Sequence, residues 1–116
     1  MSLPKQAFRI LTVFDGDTAR ISLNGELERG NLRLLARELF ECDRRGVSVL
    51  VLDLAALEFI DAAAFRLLLA TGRRMRGRGR HLSLVNPSAP VRRILEVTAL
   101  AHAADVVDEL LEPHIV

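Results

Sequence analysis

The chain has 116 residues, 50% of them hydrophobic and 27% charged, with a formal net charge of +1. That length closes one hydrophobic core, while near-neutral charge, five Phe and no Trp or Tyr deny a nucleic-acid surface its field and its stacking platforms. One cysteine excludes an intramolecular disulfide or a thiolate metal cluster, and no uncharged apolar run reaches the ~20 residues of a membrane span.

Residues 8–14 and 18–23 read as two strands around Asp15-Gly16-Asp17, a turn with hairpin spacing. In the second, Ala19, Ile21 and Leu23 alternate with Arg20, Ser22 and Asn24, so one face is buried. Gly25-Glu26-Leu27-Glu28 follows as a loop, and Gly30-Asn31 can open a helix. Over residues 31–45, Leu32, Leu35, Leu39 and Cys42 form one helical stripe, and Arg44-Arg45 before Gly46 suit its C-terminus. Cys42 on that stripe reads as a small buried hydrophobe.

Residues 47–54 are nearly all apolar, the pattern of a strand buried on both faces. A hydrophobic bridge, Leu57-Glu58-Phe59-Ile60, leads to Asp61, a favoured N-cap for the helix expected over residues 62–76. Its core arc centres on Ala64, Leu68 and Met75, with Phe65 and Leu67 beside it. On the opposite side Ala63, Arg66, Ala70 and Arg73 recur at helical spacing, small residues alternating with arginines in a flat surface that a partner helix can approach. Gly77-Arg78-Gly79 ends the helix. A fourth strand is expected over 81–85, a turn at Asn86-Pro87, and a third helix capped by Ser88, with Pro90 in its first turn. These elements run in the order β-β-α-β-α-β-α, followed by a short strand near Val106-Val107 and a final helical turn, which predicts an α/β mixed sheet of four or five strands with helices chiefly on one face.

Charge is unevenly placed. From Asp61 to Glu96 there is no acid, yet eight arginines fall between them. His81, His102 and His114 are scattered without metal-ligand spacing, and no phosphate-binding glycine loop or nucleophile elbow is present. No catalytic residue, cofactor or metal is expected. The start MSLPKQAF lacks the apolar core of a signal peptide, so the expected compartment is the cytoplasm.

Four segments in the right order carry a family resemblance. Gly25-Glu26-Leu27-Glu28 resembles a GELD loop. Val51-Leu52-Asp53-Leu54 through Phe59-Ile60-Asp61 resembles a VxxDLSxxxFxDSSG segment. Leu84-Val85-Asn86-Pro87-Ser88, then Val91-Arg92-Arg93-Ile94-Leu95-Glu96-Val97-Thr98, resembles an LVNPSPxVRRxLELTG ending. Together they resemble the STAS domain of bacterial anti-sigma factor antagonists. The resemblance implies one STAS domain over residues 1–116, with a core of about 8–110, acting in protein–protein interaction and transcription regulation. In that family the first serine after the aspartate is phosphorylated by an anti-sigma factor that is also a kinase, and the unphosphorylated antagonist binds that factor and frees the sigma factor.

This chain departs from the pattern where the switch would sit. Ala62 replaces the phosphoacceptor serine, Ala63 the second serine, Ala64 a glycine, Phe65 a leucine and Arg66 a small residue. Alanine cannot take on the charge of about −1.5 to −2 that phosphorylation adds. The resemblance therefore implies an antagonist independent of phosphorylation, or a STAS subunit or scaffold of a transport or sensory complex. The expected partner is an ATPase- or kinase-like anti-sigma factor, with no nucleic acid and no membrane span; a homodimer stays open. The expected surface comprises Glu28, Asp61, Ala62, Ala63 and Arg66, with Arg73 at its margin.

Overall fold

The computed structural model describes residues 8–99 and 109–111. In chain order these form β1 (Arg9–Asp15), β2 (Thr18–Leu27), a 3-10 turn (Arg29–Asn31), α1 (Leu32–Arg44), β3 (Val49–Ile60), α2 (Ala62–Gly77), β4 (His81–Val85), α3 (Ala89–Ala99) and β5 (Glu109–Leu111). One sheet of order β1-β2-β3-β4-β5 joins all the strands. The β1–β2 hairpin is antiparallel and every later pairing is parallel, which gives the mixed sheet expected. The strand expected at Val106-Val107 and the final helical turn lie outside the described residues.

The register explains the core. Ala19 and Ile21 of β2 lie beside Leu50 and Leu52 of β3, which lie beside Leu82 and Leu84 of β4, so one apolar face runs unbroken across three strands. The stripe Leu35, Leu39 and Cys42 of α1 and the arc Ala64, Leu68 and Met75 of α2 close over it, and all are buried. Burial pushes the Cys42 thiol up to about 11, which suits a packing role. Ser88 donates its hydroxyl to the Leu57 carbonyl and so ties the start of α3 to β3.

Two strands run longer than their sequence pattern suggests. Gly25, Glu26 and Leu27 are not loop but the end of β2, and Leu27 is fully buried opposite Ile60. Likewise β3 does not stop at Leu54: the bridge to Asp61 is strand through Ile60. Beyond Leu54 the buried positions are Leu57 and Ile60, three apart rather than two, because the β2–β3 register shifts twice. Such bulges re-phase a strand and recur beside binding sites.

Both α1 and α2 end in the same motif. The N–H of Val47 donates to the carbonyl of Cys42 and that of Gly46 to Asp43; Arg80 and Gly79 repeat the pair on Met75 and Arg76. Gly46 and Gly79 hold φ of +72° and +71°, as this Schellman geometry requires. Nothing lies within 4 Å of a Cβ added at Gly46, so the cost of Gly46→Ala is purely conformational. We expect about 1–2 kcal/mol of lost stability, read by urea unfolding.

Candidate partner-binding surface

Asp61 organises one end of the sheet. Its backbone N–H donates to the Leu27 carbonyl at 3.1 Å, aligning the ends of β2 and β3. One carboxylate oxygen accepts from the Ala64 N–H at 2.8 Å and caps α2; the other accepts from the Arg29 N–H at 2.9 Å and pulls the 3-10 turn alongside. The Ala64 N–H, aided by that of Arg29 and opposed by partial burial, holds the Asp61 carboxyl below its ordinary range. Sequence alone offers the cap; the second bond, across 32 positions, turns a local cap into a clamp between loop and helix.

Glu28 is exposed and precedes the turn that Asp61 holds. Asn31 fixes the backbone there: its side chain accepts from the Glu28 N–H at 2.9 Å and donates to the Glu26 carbonyl at 2.7 Å. Sequence reasoning gave Asn31 only a place at the helix start. Its bond back to the Glu28 N–H is the return half of a capping box around the turn. Phe59, opposite Glu26 in the register and 41% exposed, adds an aromatic to the same end of the sheet.

At the start of α2 the three alanines part company. Ala62 is exposed, Ala63 half-buried and Ala64 fully buried in the core. Ala62 thus sits at the first helical position on the surface, where free N–H groups and the dipole favour negative charge, and α2 has no acid in its first turn. Along the outer face Arg66, Ala70 and Arg73 are all exposed, as their phase demands. Glu28, Asp61, Ala62 and Ala63 therefore gather at the helix end, and Arg66 and Arg73 continue one and three turns along α2. Among the described residues, neither arginine makes an ion pair.

The arginine run after them behaves differently. Arg78 and Arg80 both reach Asp43, at 2.8 and 3.0 Å, and lock the end of α2 to α1. A groove of about 270 Å³ between these helices is lined by Leu39, Phe40, Leu67, Thr71 and Arg74, with Asp43 at its edge. Thr71 spends its hydroxyl on the Leu67 carbonyl and Asp43 its charge on the two arginines, so no acid, base and nucleophile converge in that groove. Among the described residues no three potential ligands could hold a metal ion, and no helix is long and apolar enough to cross a membrane.

A family model described as Mlab, STAS domain, matches residues 10–112. No curated protein matches the sequence significantly. Among solved structures, the anti-sigma factor antagonist SpoIIAA in its unphosphorylated form superposes with a TM-score of 0.74 at 20% identity, over 93% of this chain and 89% of that one. The phosphorylated form of the Bacillus protein gives 0.70 at 18%, over 93% and 92%. An anti-sigma factor antagonist from Mycobacterium paratuberculosis gives 0.78 at 21%, over 99% and 92%. At such identities the likeness is one of fold.

Proposed function

The chain belongs to the STAS domain family, and we propose that it is a protein-interaction module that binds an anti-sigma factor and frees a sigma factor, from a surface that phosphorylation at position 62 cannot switch off. The observation that supports this reading is the exposure of Ala62 at the head of α2, beside the Asp61 clamp and below Arg66. A serine there would present its oxygen to solvent at a site that welcomes phosphate. A methyl group stands in its place, and the surface keeps one charge state. Glu28, Asp61, Ala62, Ala63 and Arg66 form the contact, with Arg73 at its margin.

Titration calorimetry with each purified anti-sigma ATPase encoded in the same genome tests this. We expect one of them to bind, and the complex to survive incubation with ATP. Mass spectrometry should find the wild-type domain unphosphorylated and Ala62→Ser labelled at the new hydroxyl. Labelling of the wild type at another residue, with loss of the complex, would refute a constitutive antagonist. Ser88 is a useful internal check, since its hydroxyl is committed to the Leu57 carbonyl. Ala62→Asp should stabilise α2 by about 0.3–1 kcal/mol through the dipole, yet weaken the complex, so the two readouts move in opposite directions.

A second reading, a non-enzymatic subunit or scaffold of a transport or sensory complex, is favoured by the matched family model, whose description is Mlab rather than an antagonist. It calls for co-purification with permease or sensory proteins encoded beside the gene, and for silence against every anti-sigma ATPase.

A further inference from the structure

We infer that β1 pairs with β1 of a second copy, antiparallel about a twofold axis through Thr12, so that the sheet continues across a homodimer. This inference is independent of the surface at the head of α2. β1 is an edge: it pairs with β2 on one side, and among the described residues no strand lies on the other. Edge strands are usually blunted by shortness, proline or lysine. This one has seven residues and neither proline nor lysine, and its outward face, away from α1, carries Leu11 at 64% and Val13 at 55% exposure.

The hairpin geometry fixes which backbone groups remain. Asp15 and Thr18 flank a two-residue turn, so they form a hydrogen-bonded pair, and pairs alternate from there. Residues 9, 11, 13 and 15 therefore spend their N–H and C=O groups on β2. Those of Ile10, Thr12 and Phe14 point to the open edge. Two of these residues are already held: the Thr12 hydroxyl donates to Glu38 at 2.8 Å, and the Arg45 guanidinium lies 4.0 Å over the Phe14 ring.

Side-chain order then selects the occupant. With the axis at Thr12, Ile10 meets Phe14 of the second copy and Thr12 meets Thr12, all in hydrogen-bonded pairs that use the outward groups. Leu11 meets Val13, and Arg9 meets Asp15, in the non-hydrogen-bonded pairs where side chains come closest. Each apolar residue faces an apolar residue, and each end of the strand carries an ion pair. A slip of two residues either way sets a charge against a leucine or valine and carries the other charge beyond the end of the partner strand. The sequence RILTVFD is thus complementary to itself in one register, which specifies a second copy of this chain as occupant.

Sedimentation equilibrium of the full chain over a wide concentration range should show a monomer–dimer equilibrium. Arg9→Glu and Asp15→Arg should each weaken the dimer about tenfold, by setting like charges opposite one another at both ends of the strand pair. The double swap Arg9→Glu/Asp15→Arg should restore it. Both side chains are exposed, and among the described residues neither makes an ion pair, so circular dichroism should report an unchanged fold. Val13→Lys, on the same exposed face, should give a monomer without touching the ends. A monomer at every concentration overturns the proposal, as does a dimer indifferent to the swaps and to Val13→Lys.

Discussion

Asp61→Ala should cost about 2–3 kcal/mol of folding stability, more than an ordinary N-cap deletion. The excess comes from the second carboxylate oxygen. Losing the cap leaves the N–H of the buried Ala64 without its carboxylate partner, the usual cost of an N-cap deletion. Losing the bond to Arg29 also releases the 3-10 turn from α2, and the exposed Glu28 that precedes the turn loses its fixed relation to Ala62. Asp61→Asn separates the two contributions. Its amide oxygen can still cap Ala64, but its NH2 group would face the Arg29 N–H, donor against donor. The asparagine variant should therefore keep most of the helix and lose the clamp. If Asn and Ala cost the same, the clamp is not the source of the excess.

The same carboxylate gives a pH signature. Its folded-state pKa lies below that of the unfolded chain, about 3.9 for an aspartate. A depressed acid contributes stability that is complete above the unfolded value and fades as pH falls through the folded one. Wild type should lose stability on acidification through that window, and Asp61→Ala should lose less. Asp53 lies in the same direction: although burial opposes ionisation, the Ala55 N–H and the Arg20 guanidinium hold its carboxyl low. The difference between wild type and Asp61→Ala, rather than the whole acid curve, is the quantity to read.

How far the sequence disclosed this architecture depends on how local each signal was. The stripes of α1 and α2 were legible because a helix writes its buried face at fixed spacing, and Leu35, Leu39, Leu68 and Met75 are all buried. Glycines past both helices were legible as well, since a Schellman end needs a left-handed residue at one position. The far halves of β2 and β3 were not. Two register shifts convert alternation into a three-residue step from Leu54 to Leu57 to Ile60, and a strand read by period two ends where its period changes. The site shows the same division. Ala63, Arg66 and Arg73 follow from helical phase, Ala62 from the family segment the chain resembles, and the Asp61 cap from the residue type at a helix start. The bond between Asp61 and Arg29 and the pairing of Arg78 and Arg80 with Asp43 join residues more than thirty apart, and no local pattern announces them.

Arg66→Glu should abolish binding of the proposed anti-sigma partner, a loss of at least about 2–3 kcal/mol, or a hundredfold, while leaving the fold within about 0.5 kcal/mol of wild type. The asymmetry follows from position. Arg66 is exposed, makes no ion pair among the described residues, and stands four residues after Ala62, one turn along the same face. Among the described residues no ion pair depends on its charge, so reversing it removes none of those contacts. A partner that docks against Ala62 and Ala63 meets that guanidinium directly, because methyl side chains let it approach the helix closely. Arg73, two turns further, should respond more weakly, and Arg93→Glu on the exposed side of α3 should not respond at all. The gradient from Arg66 through Arg73 to Arg93 carries the inference: equal losses at all three would mean general attraction to an arginine-rich domain, and an unaffected Arg66→Glu would place the contact elsewhere.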